Sequence, residues 1–168
     1  MISWLKSIYI NEIHIRIEKY PVRVPARGSG FTIASILTNV NLMPRNYFWT
    51  MLFLILHQID AAYWKEWEMF HVPGGVQGFL VFNLAAIALV LVGYRHVLLA
   101  TPQAALYAGV CAALGVGTCL IHAGFALAGL EQFHLPLSVA IIVLCLASAV
   151  WLLGDVRRVL GQRARQAA

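Results

Sequence analysis

The chain has 168 residues and a formal net charge of +5, and it is 61% hydrophobic but only 11% charged. Ordinary soluble domains are roughly 25% charged, so this composition excludes one and points to a single small membrane bundle. The basic residues gather towards the chain ends without a groove-reading motif or basic–aromatic interleaving, so a lipid surface is the expected partner and nucleic acid is not.

Residues 1–42 read unlike the rest. Ile13, Ile15 and Ile17 alternate with His14, Arg16 and Glu18, a strand-like period of two. Pro21 and Pro25 break that run, and Arg27-Gly28-Ser29-Gly30 is loop composition. The mildly apolar stretch Phe31 to Leu42 is too short to cross a bilayer. A lone strand has no sheet to join, so a poorly ordered extension is expected here. Met43-Pro44-Arg45-Asn46 directly precedes the first strong apolar segment, and an alternative start at Met43 is one explanation.

The first span is expected over about Tyr47 to Trp64, with aromatic residues at both ends as in an interfacial belt. A signal peptide is the competing reading, but no small-x-small cleavage site follows. The helix is expected to continue to Phe70 or His71, because Pro73-Gly74-Gly75 is the first strong stop. On one continuous helix His57, Asp60, Trp64, Glu68 and His71 share a face about 80° wide, and Glu66 lies opposite.

A second span covers about Val76 to Tyr94, with Gln77 and Asn83 as polar members. A third opens on Thr101-Pro102, a good N-terminal signal, and runs to about Ala128. Its Ala105, Gly109, Ala113 and Gly117 recur every four residues, a pattern that lets a neighbouring helix approach closely; chance enrichment is the bland alternative. The fourth span runs from near Pro136 to near Leu153. Residues 156–168 then form a basic tail with Arg157, Arg158, Arg163 and Arg165, suited to anionic head groups. Cys111, Cys119 and Cys145 lie in apolar runs without metal-ligand spacing and read as small buried hydrophobes.

The fold class expected is therefore all-α, a four-helix transmembrane bundle over residues 43–155. One side of it holds Arg45, Arg95 and the tail arginines; the other holds only Lys65, beside Glu66, Glu68 and Glu131. The positive-inside bias places both termini in the cytoplasm of a cell-membrane protein. At 1.5 Å per residue, His57 then lies roughly 15 Å and Asp60 roughly 20 Å above the cytoplasmic edge, Asp60 level with Asn83, and Thr118 and His122 reach that level and slightly above it.

Three readings compete for these polar groups. In the first, His57, Asp60, Asn83, Thr118 and His122 satisfy one another and pin the helices. In the second, His57, Asp60, His71, His122 and His134 hold a divalent metal, with Asp60 or Glu68 as general base for a metal-bound water. No established ligand motif such as HExxH is present. In the third, a Glu68–His71–Asp60–His57 column carries protons or a small solute, which needs a homo-oligomer. An accessory role in a larger membrane complex is also open.

The run His57-Gln58-Ile59-Asp60, Tyr63-Trp64-Lys65-Glu66-Trp67-Glu68-Met69-Phe70, then Pro73-Gly74-Gly75 with Gln77-Gly78-Phe79, resembles small uncharacterised prokaryotic four-helix membrane proteins, a domain of unknown function. The resemblance covers about Met43 to Asp155. It implies the fold, and brings no assigned activity, acid, base or ligand with it.

Overall fold

A computed structural model describes residues 42–129 and 135–167. All regular structure among them is helical: α1 (Leu42–Tyr63), α2 (Glu66–Met69), α3 (Val76–Leu98), α4 (Ala104–Leu127) and α5 (Pro136–Ala167). Three of these, α3, α4 and α5, are long and apolar enough to cross a membrane. The remaining long helix, α1, carries His57, Gln58 and Asp60 in its second half, which lowers its hydropathy. The alternating isoleucines of the extension, and His134, lie outside the described residues.

α1 and α4 touch each other and lie between the other two long helices, each contacting both α3 and α5; α3 and α5 do not meet. The packed face of α1 is Tyr47, Thr50, Met51, Leu54, His57 and Ala61, the three-and-four spacing of one helix side. Its facing partners are small. Ala108, Cys111, Ala112 and Gly115 of α4 and Cys145 and Ala149 of α5 are buried. A Cβ on Gly115 would lie 2.8 Å from that of Ala149, so only glycine permits this approach. The close helix contact on α4 thus runs through Ala108, Cys111 and Gly115. It does not run through the expected stripe, since a Cβ on Gly109 or Gly117 would meet nothing within 4 Å.

The end of the bundle at the start of α1 is tightly tied. Tyr47 is almost fully buried, stacks on Tyr94 and donates its hydroxyl to the Val90 carbonyl at 2.9 Å. The His96 ring stacks on Tyr107, which joins α3 to α4. In the structure Asp155 is buried there, accepting a hydrogen bond from Asn46 Nδ2 at 2.7 Å and pairing with Arg158 at 3.3 Å. α5 continues without a break past Leu153, and Arg163 donates to the Pro102 carbonyl at 3.1 Å.

Candidate metal centre

The opposite end departs from the expected continuous helix. α1 stops at Tyr63, and Lys65 takes left-handed backbone angles, φ 53° and ψ 46°. A non-glycine residue there costs on the order of 1–3 kcal/mol, so neighbouring contacts must hold it. Two aromatic pairs do so. Trp67 packs on Phe79 of α3 with ring centroids 5.2 Å apart, and Phe70 packs on Phe125 of α4 at 5.1 Å. Such pairs each contribute about 0.5–1.5 kcal/mol beyond their buried area. The reversal turns α2 so that Glu66 points inward.

Glu66 is only 5% exposed, and its Oε1 lies 3.6 Å from Nε2 of His122, itself 7% exposed. His57 is 4% exposed and brings its Nε2 to 3.4 Å from the same His122 nitrogen, the two rings edge to face. One ligand atom from each of these three residues lies within 4.8 Å of the other two. Two ligands of a tetrahedral metal with bonds of about 2.0–2.1 Å are roughly 3.3–3.4 Å apart, so both measured separations approximate tetrahedron edges. As a direct N–H···N hydrogen bond, 3.4 Å is long. Oε1 of Glu66 has no hydrogen-bond partner among the described residues, as expected of an acceptor aimed at a cation. Burial, and secondly the negative charge of Asp60, pushes the Glu66 carboxyl up to about 7. Two imidazoles and one carboxylate suit zinc or iron(II).

The other residues singled out in the sequence are placed elsewhere. Asp60 is half-buried and accepts a hydrogen bond from Ser138 Oγ of α5 at 2.8 Å. Its Oδ2 has no hydrogen-bond partner among the described residues. Asn83 is buried but turns its amide to the Phe79 carbonyl of its own helix at 3.0 Å. Thr118 lines a cavity beside the cluster. Glu68 is exposed and lies 3.9 Å from Lys65, and His71 is exposed with φ 50°. The structure therefore brings His57 and His122 together, and it adds Glu66, which the helical wheel set on the far side. No glycine or proline marks the turn at Lys65, so nothing local announced it. Ser138, the partner of Asp60, likewise had no signal beyond being polar in an apolar run.

Among the described residues the arrangement is all-helical, with three helices of membrane-crossing length and a buried His–Glu–His cluster. The chain belongs to a family of unknown function (DUF6713), whose model matches residues 43–159. No curated protein and no solved structure matches it significantly.

Proposed function

We propose that this chain is a four-span membrane protein with both termini cytoplasmic, binding one divalent transition metal through His57, Glu66 and His122 in the outer half of the bundle. The observation that carries this reading is the convergence of three buried ligand atoms, from α1, α2 and α4, within 4.8 Å of one another, with both separations from His122 close to a tetrahedron edge. Three protein ligands leave one position for water or substrate, as in catalytic sites. Zinc held there would supply a Lewis acid suited to hydrolysis, and iron(II) would supply a redox centre that needs an external oxidant. Asp60 serves pairing in this reading, because its hydrogen bond to Ser138 joins α1 to α5.

The test is the metal content of detergent-purified protein after loading with zinc or iron(II) and removal of excess. Wild type and Asp60→Asn should each retain one metal per chain, since asparagine keeps the acceptor for Ser138. His122→Ala and Glu66→Gln should lose it, with affinity falling at least about tenfold. A wild type that holds no metal overturns the proposal and leaves a hydrogen-bonded cluster. Loss in Asp60→Asn alone would make Asp60 the third ligand in place of Glu66.

A further inference from the structure

A cavity of about 430 Å³ adjoins the cluster, bounded by α1, α2, α3 and α4. That volume suits a small molecule and far exceeds what a metal ion requires. Its wall is apolar, with Leu54, Phe79, Ile87 and Val90 prominent, and beside the three proposed ligands only Gln58 and Thr118 add polar side chains apart from the Trp67 indole. Ala113 and Gly117 line it from α4, and a Cβ on Gly117 would meet nothing within 4 Å. The small-residue stripe thus leaves room for something other than a helix. His57 and Glu66, both more than nine-tenths buried, line the same space, and Glu66 Oε1 has no hydrogen bond.

The way in is also apolar. Phe82 of α3 and Leu114 and Ile121 of α4 line the cavity and are also exposed, Phe82 at 57% and Ile121 at 48%. They mark a mouth between α3 and α4 on the side of the bundle. These helices are joined at the other end by His96 and Tyr107, so the opening is confined to the half that holds the cluster. In a bilayer a mouth there faces acyl chains, so a ligand dissolved in lipid reaches it directly.

We infer that the cavity takes a single-chain membrane lipid, admitted sideways between α3 and α4, with its oxygen-bearing head group on the metal held by His57, Glu66 and His122. The inference rests on the metal reading above. The apolar mouth selects a ligand already dissolved in lipid, and the volume admits one chain better than a two-chain phospholipid. Gln58 and Thr118 supply hydrogen bonds for the head group beside the metal.

The experiment uses the full chain in detergent, loaded with cobalt(II), whose visible spectrum reports its ligands. The probes are hexadecanoyl hydroxamate and acetohydroxamate, which share a metal-binding head and differ in chain. The long probe should shift the spectrum at concentrations at least about tenfold lower, given roughly 0.8 kcal/mol per buried methylene. Gly117→Leu and Ala113→Leu fill the cavity without touching a ligand, so each should keep the cobalt spectrum and lose that preference. Two variants are used so that a folding failure in one leaves the other informative. Absence of cobalt uptake by wild type would defeat the metal reading itself. Cobalt uptake with equal potency of the two probes would overturn the lipid inference alone. So would a long-chain preference undiminished in the filled variants, because micelle partitioning would then explain it.

Discussion

Glu66 decides the chemistry of the cluster, and its protonation provides a direct handle on it. Buried among apolar side chains and near Asp60, its carboxyl rises from the ordinary value of 4.5 to about 7. The folded metal-free protein therefore binds the proton more tightly than the unfolded chain does. The contribution is fully present below pH 4.5 and is lost as pH rises through 7. At 1.36 kcal/mol per pKa unit the effect is about 3 kcal/mol. His57 from α1 and His122 from α4 face the same carboxyl, so the quantity to measure is the difference between wild type and Glu66→Gln. Treated with chelator, wild type should lose stability relative to the glutamine variant between pH 4.5 and 7. Loaded with metal, wild type should gain over the same range, because ligands bind the metal only when deprotonated. Thermal unfolding in detergent at four or five pH values would show the two slopes. Identical slopes with and without metal would remove Glu66 from the ligand set.

The element that matters most is the turn between α1 and α2, because it moves a carboxylate from the outside of a helix to the inside of a site. Lys65 at φ 53° is the pivot. Glycine tolerates that angle and proline cannot reach it. Lys65→Gly should therefore keep the metal and change stability by no more than about 1 kcal/mol, strain relief opposing the added freedom of the unfolded chain. Lys65→Pro should lose the metal although no ligand is altered, and metal analysis of both variants checks it. Equal retention in both would mean that the turn does not position Glu66. The same turn shows how far the sequence could be read. The long helices follow from apolar runs bounded by Pro73-Gly74-Gly75 and Thr101-Pro102, and they fall close to where those signals put them. His57 and His122 were singled out by their depth in apolar segments. Glu66 was not, because a left-handed lysine is chosen by the tertiary contacts of Trp67 and Phe70 and has no local signature. The stripe on α4 was legible as small residues, but whether it faces a helix or a cavity depends on how far α3 stands away.

At the scale of the molecule the question is whether α1 lies in the bilayer beside the three more apolar helices. Its polar residues argue against insertion of the isolated helix, since an aspartate in hydrocarbon costs several kcal/mol. Its packing argues the other way. α1 contacts α3, α4 and α5, and His57 and Asn46 turn towards those neighbours, whereas Phe48, Trp49 and Ile59 are exposed. The surface left to lipid is thus apolar, and the polar side is covered by protein. Four spans then put the α1–α3 connection, with Lys65 among Glu66 and Glu68, on one side. Arg45, Arg95 and the arginines at the end of α5 fall on the other. The bias predicts that the arginine side is cytoplasmic. Single cysteines at Gln77 and Gln103, both exposed positions at opposite ends of the helices, test this in intact cells. Cys111 and Cys145 are buried and Cys119 is half-buried, which limits background labelling. Gln77→Cys should react with a membrane-impermeant maleimide added outside, and Gln103→Cys should react only after the cells are opened. If α1 stayed out of the membrane, α3 to α5 would form three spans with the same two connections. Arg45 would then be the discriminating position, since a cysteine there would lie on the side of Gln77 if α1 folded back along the surface. Labelling of Arg45→Cys from outside would refute the four-span reading and remove the cluster from the membrane interior. Protection of Arg45→Cys until the cells are opened, together with outside labelling at Gln77, requires α1 to cross.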